Sequence, residues 1–139
     1  FVKVNFTGLA HEMEELLKNL SSSKKIQVLA EIKDGAHVSG NPKKLFRAIY
    51  NLVDNAVKFT PQNGRIALSL SQTDHHVVWE ISNTGPGIPS KDLPLVFKRF
   101  YAGLGLSICK SIIEAHHGEI LVSSTPGKIT TFTVKIPAP

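Results

Sequence analysis

The stretch Asn51-Leu52-Val53-Asp54-Asn55-Ala56-Val57-Lys58-Phe59-Thr60 decides the architecture, because its apolar and polar residues separate on a 3.6-residue helix. Upstream, Asn41-Pro42 reads as an N-cap followed by a first-turn proline. Downstream, Pro61-Gln62-Asn63-Gly64 stops the pattern, so a helix is predicted from Asn41 to about Phe59. Leu45, Ile49, Leu52, Ala56 and Phe59 share one broad arc of it. Asn51, Asn55 and Lys58 fall within roughly 60° on the other side, two amides and an ammonium pointing the same way. A solvated face explains most polar stripes. Amide oxygens are also hard, neutral ligands that can complete the coordination of a magnesium ion held by phosphates, with the lysine offsetting phosphate charge. The helix by itself leaves both readings open.

Before this helix, Leu9, Met13, Leu16, Leu17 and Leu20 recur at three- and four-residue steps, which predicts an amphipathic helix ended by Ser21-Ser22-Ser23. Ile26, Val28, Ala30 and Ile32 alternate with Gln27, Leu29 and Glu31, a strand with one apolar residue on its outward side. Asp34-Gly35 then turns the chain into Val38. After the central helix, Ile66 to Leu70 and Val77 to Ile81 are predicted to form a hairpin around Thr73-Asp74-His75-His76. Leu104 to His116 reads as a helix with Leu106, Cys109, Ile112 and Ile113 on its apolar side and Gly118 as its stop. Glu119 to Ser123 and Thr131 to Ile136 are the last two strands, around Pro126-Gly127. This mixed order predicts an α+β fold, a two-layer α/β sandwich with about three main helices on one face of a single mixed sheet.

Composition narrows the function classes. A chain of 139 residues, 42% hydrophobic and 19% charged, suits one compact domain over 1–139 and not two. No apolar run reaches the roughly 18 residues of a membrane helix, and Phe1-Val2-Lys3-Val4 lacks a signal-peptide core. A cytoplasmic setting without direct membrane contact is expected. The single cysteine, Cys109, excludes an internal disulfide, and the six histidines do not combine with it at zinc-ligand spacing. The net charge of +5 suits nucleic acid, an acidic partner or a phosphorylated ligand. Nucleic acid is disfavoured, because the exposed interleaving of aromatic and basic residues is lacking.

Two glycine-bearing segments follow the central helix. Asn83-Thr84-Gly85-Pro86-Gly87-Ile88-Pro89 comes straight after a predicted strand, where a polar side chain is presented at a sheet edge; a plain turn has the same composition. Gly103-Leu104-Gly105-Leu106 opens the last helix, whose first backbone N–H groups can bind phosphate. In order, NLVDNAVKFT on a helix, NTGPGIP after a strand, FKRFY, and AGLGLSI opening a helix closely resemble the catalytic ATP-binding domain of two-component sensor histidine kinases. That family belongs to the Bergerat-fold ATPases, with the gyrase, chaperone and mismatch-repair enzymes, and the resemblance runs from Leu9 to Pro137.

The resemblance implies Mg-ATP as ligand and a set of residues for it. Asn55 matches the magnesium-coordinating asparagine of the N box, Asn51 precedes it by one turn, and Lys58 lies near the phosphates, so these three carry the catalytic role. Nucleotide contacts are further implied for Asn83, Gly85, Gly87, Ile88, Tyr101, Gly103, Leu104, Gly105, Leu106 and Thr131. Phe97 and Phe100 match the F box, and Gly103 and Gly105 the hinge of a mobile lid. The sequence departs from the family at three places. Asn83 replaces the usual aspartate that accepts from the adenine amino group, which its amide oxygen can still do. Ile129 replaces a glycine. The lid expected between Tyr101 and Ala102 is missing, either deleted or left out of this sequence as a mobile segment.

The related ATPases carry a water-activating glutamate where this chain has Asn51, which favours phosphoryl transfer over hydrolysis. His11-Glu12 is not followed by the remainder of a phosphoacceptor motif. The implied function is therefore transfer of the γ-phosphoryl group to a histidine on a separate dimerisation and phosphoacceptor domain, with a response regulator as the downstream partner. A nucleotide-degenerate scaffold of the same fold is the alternative. The parent is expected to be a sensor, with this domain in the cytoplasm.

Overall fold

A computed structural model describes residues 1–99, 101, 105–125 and 127–139. The chain opens with a short strand, β1 (Val2–Asn5), and the 16-residue helix α1 (Phe6–Ser21), capped by Asn5, whose side chain accepts from the Gly8 N–H. Helix α1 starts three residues before the predicted Leu9, because Phe6 and Thr7 are buried along with the periodic leucines. After a single 3-10 turn (Ser22–Lys24) come β2 (Gln27–Ile32), β3 (His37–Gly40) and α2 (Pro42–Phe59). Asn41 caps α2 by accepting from the Lys44 N–H at 3.1 Å, and Pro42 stands in its first turn, as the sequence predicts.

The remaining elements are β4 (Arg65–Gln72), β5 (His76–Thr84), α3 (Leu106–Ala115), β6 (Glu119–Thr125) and β7 (Ile129–Pro137). Five strands form one mixed sheet in the order β2-β4-β5-β7-β6, with only the β2–β4 pair parallel. A parallel pair needs a crossover, and α2 supplies it between β2 and β4. β1 and β3 pair separately as a small antiparallel sheet, an element absent from the sequence reading. Along the main sheet Ile66, Leu68, Leu70, Val77, Trp79, Ile81, Phe132, Val134 and Ile136 are buried, while the alternate residues are not. The three helices cover that buried face, so the α+β two-layer sandwich is the observed architecture. Leu29 is 54% exposed on β2, the one apolar outward position the alternation predicts.

Both ends of α2 are fastened by residues distant in sequence. At its start, the Asn41 N–H donates 3.0 Å to His116 Nε2, while His116 Nδ1 donates 2.7 Å to the Ile112 carbonyl of α3. His116 is 2% exposed and stacks on Phe1 at 4.5 Å, so it serves as an internal strut between the start of α2 and the end of α3. At the other end, Lys24 Nζ donates to the carbonyls of Val57, Lys58 and Thr60 at 2.9, 3.3 and 3.1 Å. Those are carbonyls a helix C-terminus leaves without intrahelical partners.

Candidate functional site

Helix α2, the ends of β5 and β7, and the glycine segment after β5 line a common cleft. Leu52, Ala56 and Phe59 of α2 form one wall; Phe132 of β7 and Leu106, the first residue of α3, lie across from them. Phe59, assigned to the apolar arc that meets the core, is 46% exposed, because its ring lines this cleft at the end of the helix. The walls are thus largely apolar, and a few polar groups converge between them, as in ligand sites generally.

Those polar groups are Asn55, Asn83 and Thr130. Asn55 is 6% exposed, and its Nδ2 is buried without any hydrogen-bond partner among the described residues. An orphaned amide in an otherwise packed helix marks a group shaped for something outside the chain. Asn83 lies inside β5, paired with Ile66 on β4 and Thr130 on β7, and not in the loop after the strand as the sequence suggests. Strand β5 runs on to Thr84 because β7 pairs with it along its whole length. Asn83 Nδ2 donates to the Thr84 carbonyl at 3.2 Å, which leaves its amide oxygen as an acceptor at the cleft without a partner among the described residues.

The remaining predicted residues divide between the cleft and other places. Gly87, Ile88, Tyr101 and Leu106 line the cleft. Gly85 has φ 154°, and a Cβ there would lie 2.8 Å from the Phe59 carbonyl, so glycine is what lets the segment press against the end of α2. Asn51 sits against Gly105, where a Cβ would meet its Nδ2 at 3.4 Å; Gly105 itself holds φ 68° at the cap of α3. Lys58 does not line the cleft: its side chain is 63% exposed and pairs with Asp54 at 2.9 Å, one turn back on α2. Thr131 faces the opposite side of the sheet, bonded to Ser82 at 2.8 Å, and its neighbour Thr130 lines the cleft instead. Gly103, Leu104, Phe100 and the junction of Tyr101 with Ala102 lie outside the described residues.

Supports behind the cleft were not apparent in the sequence. Gly85 N–H donates to the Lys128 carbonyl, Gly127 N–H to the Pro86 carbonyl at 2.8 Å, and Ile88 N–H to Ser124 Oγ at 2.8 Å, so the turn between β6 and β7 holds the glycine segment along its length. Phe97 of the F box packs edge-on against Phe132 at 6.1 Å. Tyr101 donates to Asp92, and burial together with that carboxylate raises the phenol above its ordinary range. No histidine lines the cleft; His11 is paired with Glu14 on α1. Among the described residues no cluster of histidine, cysteine, aspartate and glutamate could hold a metal ion. None of the helices there is long and apolar enough to cross a membrane.

Comparison with known proteins gives concordant results. The family described as histidine kinase-, DNA gyrase B-, and HSP90-like ATPase matches residues 40–139. The adaptive-response sensory kinase SasA of Synechococcus sp. (strain JA-2-3B'a(2-13)) is 35% identical over 98% of this chain and 39% of its own length. The chain spans between 31% and 39% of the length of the curated relatives it matches. Among solved structures, the nucleotide-free catalytic domain of histidine kinase ThkA superposes with a TM-score of 0.91 at 28% identity, over 99% of this chain and 95% of that one. ThkA in complex with the response regulator TrrA gives 0.89 at 28% identity, covering 100% and 42%. Full-length ShkA in complex with AMPPNP gives 0.88 at 26% identity, covering 99% and 31%.

Proposed function

The chain belongs to the histidine kinase-, DNA gyrase B- and HSP90-like ATPase family, and from that premise we propose that it binds Mg-ATP in the cleft beside α2 and donates the γ-phosphoryl group to a histidine on a separate dimerisation and phosphoacceptor domain. The observation that carries the reading is Asn55, whose buried amide nitrogen has no hydrogen-bond partner among the described residues and stands at the same cleft as Asn83 and Thr130, a donor suited to a phosphate oxygen. The base enters between Phe59, Phe132 and the glycine segment, and its amino group meets the free amide oxygen of Asn83. The phosphates extend toward Asn51, Gly105 and the first N–H groups of α3, where the helix dipole favours negative charge. Lys58 exchanges Asp54 for phosphate; an exposed pair four residues apart is worth only about 0.3–0.5 kcal/mol and does not resist that exchange.

Magnesium fits this site as an ion that arrives with the nucleotide. Its protein ligand would be the amide oxygen of Asn55, with no carboxylate cluster among the described residues, which suits a cation whose charge phosphates already balance. When bound, it neutralises phosphate charge, and Asn55 holds it. Asn51 lacks the basicity to activate water, so the γ-phosphoryl group is kept for another protein's side chain. SasA and ThkA are named as kinases, and ThkA has been seen with a response regulator; the same downstream partner is proposed here. The parent of this domain is then a sensor with its catalytic part in the cytoplasm.

The nucleotide-degenerate scaffold is supported by Asn83 in place of an aspartate and by the engagement of Lys58 with Asp54. Calorimetric titration with Mg-ATP separates the two readings. Saturable, magnesium-dependent binding is expected, and Asn55→Ala removes the magnesium dependence. The melting temperature of that variant stays close to the unsubstituted one, because deleting an unpartnered amide costs the fold little. A chain that takes up no nucleotide is the scaffold.

A further inference from the structure

The glycine segment is held from behind by a pair of hydroxyls that also reaches the cleft. Ile88 N–H donates 2.8 Å to Ser124 Oγ on β6, and Ser124 Oγ lies 2.9 Å from Thr130 Oγ1 on β7. A backbone N–H can only donate, so Ser124 commits a lone pair to Ile88. Its proton and its second lone pair both remain for Thr130, and the contact between the two hydroxyls can run in either direction. With Ser124 as the donor, Thr130 Oγ1 accepts from behind, and its own proton is left to turn into the cleft that Thr130 lines.

We propose that Ser124 is a specificity-positioning residue, which by hydrogen-bonding both Ile88 N–H and Thr130 Oγ1 fixes Thr130 as a donor toward the base. The cleft then favours a purine whose ring nitrogen at that place is an acceptor, as N1 of adenine is, over one that carries a proton there, as N1 of hypoxanthine does. Without Ser124 the Thr130 hydroxyl rotates and offers a lone pair as readily as a proton. The assignment rests on reading the cleft as a nucleotide site.

The test compares the dissociation constants of Mg-ATP and Mg-ITP, by calorimetry, for the unsubstituted chain, Ser124→Ala and Ser124→Thr. The unsubstituted chain should prefer ATP. In Ser124→Ala the ratio should fall about three- to tenfold, the worth of one neutral hydrogen bond, while Ser124→Thr keeps it. Asn83 also distinguishes the two bases, but it is present in every variant and cancels in the comparison. Mere loosening of the glycine segment weakens both nucleotides alike and leaves the ratio unmoved. Thr130→Val gives a second reading should Ser124→Ala not fold: its ratio should fall to a similar level, and Ser124→Thr added to it should change the ratio no further. An unchanged ratio in Ser124→Ala or in Thr130→Val, with ATP still bound, overturns the role of Ser124 and leaves the nucleotide site standing. Binding of neither nucleotide by the unsubstituted chain overturns the nucleotide reading and this inference with it.

Discussion

In the proposed site, Asn83 would keep the contact to the base that a carboxylate makes in the family, without the charge. Its Nδ2 is tied to the Thr84 carbonyl, so the oxygen it presents is fixed without a carboxylate. Asn83→Asp adds a charged acceptor but gives up that bond and sets a carboxylate against a carbonyl. A charge-assisted hydrogen bond is worth about 1.5–3 kcal/mol and a neutral one about 0.5–1.5, so the net is a tightening of Mg-ATP binding by about threefold. Calorimetry on the two chains checks it, and weaker binding by the aspartate would show that the amide is the better fit here. Cys109 illustrates a quieter residue. Burial against α2, with Sγ 3.4 Å from the Ala48 carbonyl, pushes its thiol up to about 12 from an ordinary 9.0. The unfolded chain therefore releases a proton first, so the stability this thiol contributes is full below pH 9 and is lost as pH rises toward 12. Urea unfolding of the chain and of Cys109→Ala should show a shallower alkaline decline in the variant. Which residues share the cleft was partly legible. Counting back by twos from Phe132 places Thr130 on the inward face and Thr131 on the outward one, so the strand period contained the distinction that the motif alone obscured.

Among the elements, α2 was the most legible, because its cap, first-turn proline, periodicity and stop all agree over 18 residues. β1 and β3 were not, since four residues each give alternation no room to show and their pairing is with each other across 31 or more intervening residues. The fastening of α2 was equally invisible, because nothing near the helix in sequence supplies it. Lys24 comes from the far side of β2 and β3, and its ammonium satisfies three carbonyls where the helix dipole is negative. The same turn of helix carries Phe59 into the cleft and places its carbonyl against Gly85. Lys24→Met should accordingly destabilise the chain by about 1–2 kcal/mol, as hydrogen bonds from a charged group do when deleted. Chemical denaturation measures it, and Lys24→Arg, which can reach the same carbonyls, should recover most of the loss.

At the scale of the whole molecule, the proposed function makes this chain one half of a reaction. No histidine lines its cleft, His116 is locked between α2 and α3, and Asn51 stands where a base would activate water. Incubated alone with γ-labelled ATP, it should gain no acid-labile phosphate and hydrolyse ATP only slowly; label should appear once the phosphoacceptor domain of its parent is added. Labelling of His11 in the isolated chain would contradict this. The sheet order has a consequence for how such a molecule could be divided. The β4–β5 and β6–β7 pairs are each made by neighbours in sequence, whereas β5 meets β7 only across everything between residues 84 and 129. That one seam sets Asn83 opposite Thr130. Cut between β5 and α3, the chain becomes two pieces, each with its own hairpin and neither with a binding site. ATP, touching both banks of the seam, would then act as the fastener that joins them, and the domain would serve as a split reporter whose assembly reads out the nucleotide.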